Sequence, residues 1–107
     1  MATVDTSTLT SIINQCFANS MDQQFSDAVR NNFLLEGKRL RGDLINLLSA
    51  QFDEGTPALT AANAVLKTVN DDLSQSATKL GNTAQTLSDI ASSEQNLDKL
   101  CRNDMRQ

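Results

Sequence analysis

The stretch that decides the fold is GTPALTAANAVLKTVNDDLSQSATKLGNTAQTLSDIASSEQNLDKLC, residues 55–101. Leucine recurs at 59, 66, 73, 80 and 87, and Ala62, Val69 and Ile90 follow three residues after a leucine. That is the spacing of one apolar stripe on an α-helix. It predicts one long C-terminal helix over about 57–102, nominally about 65 Å from end to end. Leu59, Leu66, Val69, Leu73, Leu80, Leu87 and Ile90 form its candidate interaction seam. Alanines at 77, 84 and 91 alternate with the leucines, which suits a closely spaced antiparallel neighbour. Ser76, Gly81, Thr83 and Glu94 thin the stripe, so the helix depends on partners along its length.

Just before it, Asp53-Glu54-Gly55-Thr56-Pro57 carries the sharpest local signal. A glycine suits the left-handed conformation past a helix end, a threonine caps the next helix, and proline fits a first helical position because no backbone donor is needed there. The chain is therefore expected to reverse direction at Gly55.

Upstream, residues 1–4 read as a loose arm. Asp5, Thr6 and Ser7 offer capping oxygens to a helix over about 6–19, and Leu9, Ile12, Ile13, Cys16, Phe17 and Met21 follow its apolar pattern. A second helix is expected over about 22–52, capped by Ser20 or Asp22. Its seam is Phe25, Ala28, Val29, Phe33, Gly37, Leu40, Leu44, Leu47, Leu48 and Phe52, widened by Leu34, Leu35 and Ile45. Gly37 lies on that seam and can admit another backbone, with a possible kink at 36–38. The resulting fold class is all-α, a single domain over 1–107. Two shorter helices pack on one long C-terminal helix in an elongated bundle, with oligomerisation expected to complete the core.

Composition fits a helical protein with a thin core. Hydrophobic residues make up 39% of 107, with four Phe and neither Trp nor Tyr. The formal net charge of −4 argues against a general nucleic-acid binder. Ser, Thr, Asn and Gln make up roughly a third of the chain, far above ordinary usage. Polar, weakly charged helix surfaces of this kind also occur in exported, apparatus-associated proteins. No basic region or apolar run opens the sequence, and no stretch is long and apolar enough to insert in a membrane. A cytoplasmic location is expected, with export without a cleavable signal as the alternative.

There is no histidine, which removes histidine bases and the commonest zinc ligand. Cys16 and Cys101 read as two reduced core residues, a disulfide between them being the alternative. Arg30, Lys38, Arg39 and Arg41 form the one local positive excess and a candidate anion contact. The plainer expectation is that they pair with acids such as Asp53, Glu54, Asp71, Asp72 and Asp89. Glu36-Gly37-Lys38-Arg39-Leu40-Arg41 resembles the Gly-Lys-Arg-Leu-Arg segment of trans-prenyl diphosphate synthases over about a dozen residues. The resemblance implies basic residues that contact a diphosphate, and an aspartate-rich motif that holds magnesium. Asp71-Asp72 is followed by Gln75 where that motif needs an acid, and a second acidic motif is absent.

Neither enzymatic activity nor a cofactor is therefore expected, and no metal site. The leading expectation is a non-enzymatic interaction or scaffold protein acting through helix–helix association, a homo-oligomer with a possible protein partner and without nucleic acid. An exported helical protein and an anion binder at the basic cluster are the alternatives.

Overall fold

A computed structural model describes residues 2–74 and 83–106 of the chain, with side chains omitted at 83 and 103–106. Four helices of similar length build it: α1 (Thr6–Ser20), α2 (Asp27–Leu47), α3 (Pro57–Ser74) and α4 (Thr83–Arg106). The bundle measures 43 × 20 × 19 Å.

Each observed start has a local cause. The Asp5 carboxylate accepts from the Thr8 amide at 3.1 Å and from the Thr8 hydroxyl at 2.7 Å, capping α1. Those two bonds hold the Asp5 carboxyl below its usual range. Ser26 caps α2 by accepting from the Val29 amide at 3.3 Å, so this helix begins later than the sequence pattern suggests. Pro57 opens α3, as expected of a residue with no N–H to orphan. Gly55 is left-handed, with φ 81°, inside a turn closed by the Thr56 amide on the Asp53 carbonyl at 3.2 Å.

Residue pairs across the helices set the topology. Ser11 and Gln15 of α1 bond to the Asn70 amide oxygen, and the Asp5 amide donates to Asn63, so numbers rise together and α1 runs parallel to α3. Arg39 reaches Glu94, and Asp43 lies beside Asp98, which makes α2 parallel to α4. Asp72 lies beside Asp89 whereas Thr68 shares a groove with Ser92, so α3 and α4 are antiparallel. It follows that α1 and α2 are antiparallel as well. Around the bundle the order is α1, α2, α4, α3. Two helical hairpins therefore lie side by side, and the α2–α3 connection crosses between them at one end.

Several expectations are corrected by this arrangement. The single helix over 57–102 is replaced by α3 and α4, which fold back on each other. A hairpin lets Leu59, Leu66 and Leu73 bury against Ile90, Leu97 and Leu100 of the same chain, which a straight helix could achieve only with a second copy. Leu80, Ser76, Ala77 and Gly81 lie outside the described residues, as does the side chain of Thr83. The buried residues of α4 are Thr86, Ile90, Ser93, Glu94, Leu97 and Leu100, with Leu87 and Cys101 only half-buried. Once the chain breaks, each helix turns about its own axis, and the heptad register of α3 no longer governs α4.

The second helix also ends early, at Leu47 rather than 52, and stays helical through 36–38. Leu34, Leu35, Ile45 and Leu48, placed in or beside its seam from sequence, are exposed. Residues 48–56 instead form the crossing connection, and the arm of residues 2–4 is tied to it. Ala2 and Phe52 exchange two backbone hydrogen bonds of 2.7 Å, and Val4 is buried. Asn63 Nδ2 donates to the Thr3 carbonyl at 3.3 Å, which fastens the arm to α3.

Gly37 sits where α2 comes close to α1. A Cβ built there would sit 2.9 Å from Phe17 Cε1 and 3.2 Å from Cys16 Cβ, while one at Gly42 meets nothing within 4 Å. Opposite effects are expected from the two glycines. Gly42→Ala should stabilise by about 0.5–1 kcal/mol through helix propensity alone. Gly37→Val should destabilise by about 2–3 kcal/mol, since α1 must move aside. Urea unfolding of both variants checks the contrast.

Candidate functional site

Two places on the molecule carry unusual chemistry, and α2 contributes to both. Its inner side, Phe33, Leu40 and Leu47, enters the core. The edge toward α4 carries Glu36, Arg39 and Asp43, seven residues from end to end. The outward side carries Leu34, Lys38, Arg41, Ile45 and Leu48, a 4-3-4-3 spacing that makes one straight stripe.

The edge toward α4 forms a cleft of about 440 Å³ lined by Arg39, Asp43, Ala91, Glu94, Gln95 and Asp98. Glu94 is 7% exposed and Asp43 8%, so two carboxyls are buried where the two hairpins meet. Glu94 Oε1, Asp43 Oδ2 and Glu36 Oε2 have no hydrogen-bond partner. Arg39 is their nearest cation, 3.6 Å from Glu36 and 3.9 Å from Glu94, and it is largely solvated. Burial, and then the Asp98 carboxyl beside it, push Asp43 up to about 7. Burial, and then Glu36, push Glu94 up to about 8. These acids thus hold protons near neutral pH and meet across the seam as carboxyl–carboxylate pairs.

What such a cleft can do chemically is limited. Among the described residues, no group of three or more Cys, Asp or Glu is arranged to hold a metal ion. The Cys16 thiol, buried and facing Glu36 and Glu94, is pushed up to about 12 and stays protonated. The Ser93 hydroxyl donates to its own helix, to the Ile90 carbonyl at 2.7 Å. Cys16 and Cys101 are not joined by a disulfide.

The basic cluster is not assembled in one place. Arg30 pairs with Asp27 one turn away, and Arg39 turns toward α4. Lys38 and Arg41 point outward on the stripe, with the Arg41 guanidinium 5.9 Å from the centre of the Phe17 ring on α1. Gly37 of the prenyl-synthase-like segment is buried against Phe17 and Cys16, a packing role. Asp71 and Asp72 are on α3, diagonally across the bundle from α2, so the diphosphate and magnesium groups implied by that resemblance do not converge.

The sequence-derived seam lies inside the chain: Leu59, Leu66, Val69, Leu73 and Ile90 are buried and Leu87 half-buried. What remains open is the outer stripe of α2, where Ile45 is 68% and Leu48 65% exposed. Sequence reasoning placed these residues in the core because the apolar positions of α2 span more than half a turn. The basic residues interleaved at 38 and 41 were the available signal that one edge faces solvent. On the opposite side of the bundle, Ala64, Val65, Thr68, Asp89 and Ser92 line a second, shallower groove of about 340 Å³ between α3 and α4.

Searches against protein-family models, curated proteins and solved structures found no significant match to this chain. Among the described residues, no helix is long and apolar enough to cross a membrane.

Proposed function

We propose that the chain is a non-enzymatic interaction protein that works by helix–helix association, with the outward stripe of α2 as its contact surface. One observation carries this: a helix whose inner face is fully engaged presents Leu34, Ile45 and Leu48 to solvent, with Lys38 and Arg41 between them. Single exposed apolar residues are ordinary on protein surfaces, but a straight row of three on one helix is the pattern of a docking face. Lys38 and Arg41 keep such a row soluble while it is free and give it a charge by which to select a partner.

The test is site-specific photo-crosslinking of the full chain in the cells that make it. A crosslinker at Ile45 is expected to give a discrete protein adduct that disappears with Lys38→Glu and Arg41→Glu together. One at Thr60, exposed on α3, is expected to give none. Equal labelling from the two positions would overturn the proposal.

A further inference from the structure

We infer that the contact partner is a second copy of this chain, the α2 stripe of one copy seating in the outer α3–α4 groove of the next. The inference rests on the interaction function proposed above and supplies its partner. Both surfaces belong to one molecule and lie on opposite sides of it. The α2 stripe is on the α1 side, as Arg41 over the Phe17 ring shows, whereas the groove is between the two helices of the other hairpin.

Charge complementarity selects this pairing. Among the described residues, Lys38 and Arg41 have no acidic partner, and Asp71, Asp72 and Asp89 have no cationic one. Asp72, one turn beyond Thr68 of the groove, instead faces Asp89, whose carboxyl raises that of Asp72 first by hydrogen bonding and then by charge, and a cation placed there offsets the charge part. The apolar parts match in turn. Arg41 and Leu48 are seven residues apart on α2, and so are Asp72 and Val65 on α3, about 10 Å in each case. With Arg41 against Asp72, an antiparallel approach brings Leu48 to Val65 and Ile45 to Thr68. Because α2 and α3 already run antiparallel within one chain, successive copies keep the same orientation. The contact is heterologous and does not close, so it extends into a row of copies rather than stopping at a dimer.

A strip of five side chains buries less than the roughly 800 Å² per partner of a standard interface, so each contact is weak and salt-sensitive. Purified full-length chain, run by size exclusion with light scattering from roughly 10 µM to roughly 1 mM, should show mass rising steadily past the dimer at low salt. Lys38→Glu with Arg41→Glu should abolish the rise, and so should Asp72→Lys with Asp89→Lys, both with unchanged helicity by circular dichroism. An equimolar mixture of the two double variants should associate again, since reversed stripe meets reversed groove and the unaltered faces still pair.

A wild-type chain that stays monomeric throughout overturns the inference. So does association that survives the Asp72/Asp89 reversal, which would mean stripe meeting stripe. Flotation with anionic vesicles in place of self-association overturns it too and assigns the stripe to a membrane surface. A monomeric chain that still gives the Ile45 adduct with a different protein removes the second copy as partner and leaves the interaction function standing. Loss of the adduct as well removes both.

Discussion

Stability of the chain is expected to fall as the pH rises from about pH 5 to about pH 8, opposite to the behaviour of a protein whose carboxylates are salt-bridged. Asp43 and Glu94 are raised to about 7 and about 8 from ordinary values of 3.8 and 4.5, by burial first and by the facing carboxyls Asp98 and Glu36 second. The folded state therefore holds protons that the unfolded chain releases. Their contribution is complete below the unfolded values, erodes as the pH climbs, and is gone above the folded ones. Either carboxyl alone corresponds to a ceiling of about 4–5 kcal/mol. With protons shared across each pair and Arg39 offsetting part of the repulsion at Glu94, a total loss of about 2–4 kcal/mol is expected over this range. Asp5, whose carboxyl is held low by Thr8, works in the other direction and loses its contribution as the pH falls through its folded value. The optimum is thus expected on the mildly acidic side of neutrality.

The place of this effect gives it structural meaning. The carboxyls sit where α2 meets α4, one of the two seams that join the hairpins, so ionising them loosens hairpin against hairpin rather than helix against helix. Urea midpoints measured across the range check the direction. Asp43→Asn with Glu94→Gln should flatten the profile and raise the midpoint at about pH 8 above that of the parent. A parent profile that is flat or rises with pH contradicts the carboxyl–carboxylate seam.

Leu66→Ala should remove about 2–5 kcal/mol, as expected for a leucine with no exposed surface and no easy way for its surroundings to collapse. For a chain of this size that is a large part of a total near 5–10 kcal/mol. The second half of the expectation is more discriminating. Leu66 packs in a core built by one chain, so the unfolding midpoints of parent and variant should not move when protein is diluted over the low micromolar range. A seam between chains would make both midpoints climb with concentration by mass action. The weak outer contact inferred for the α2 stripe does not disturb this test, because it is largely unoccupied at such dilution.

Much of the fold was legible because helix signals are local. Asp5 before an apolar face with 3- and 4-residue spacing, and the turn at Gly55 ahead of Pro57, act over one or two turns of backbone, and α1 and α3 begin where those residues place them. Leu59, Leu66, Val69 and Leu73 are buried as their spacing requires. That α3 and α4 fold back on each other was not legible from the leucine count, since a stripe that repeats every seven residues looks the same whether a helix continues or folds back. Ala2–Phe52 pairing and the burial of Val4 were also out of reach, because they join residues 50 apart in sequence.

The candidate site was less readable still. In the sequence Glu94 reads as an interruption of an apolar stripe, but its partner Glu36, and Asp43 with Asp98, become pairs only because α2 and α4 lie parallel. Proximity in sequence groups Lys38 and Arg41 with Arg30 and Arg39, whereas helix geometry sends adjacent residues about 100° apart. The sequence by itself determined an all-helical chain, where α1 and α3 start, and which leucines of α3 go inside, since these follow from backbone capping and hydrophobic period. The tertiary structure alone decided that the C-terminal half is a hairpin, that two pairs of acids meet where α2 lies against α4, and that one row of α2 is left outside. Each of those depends on how far every helix rotates about its own axis when the core closes, and packing among all four helices sets that rotation.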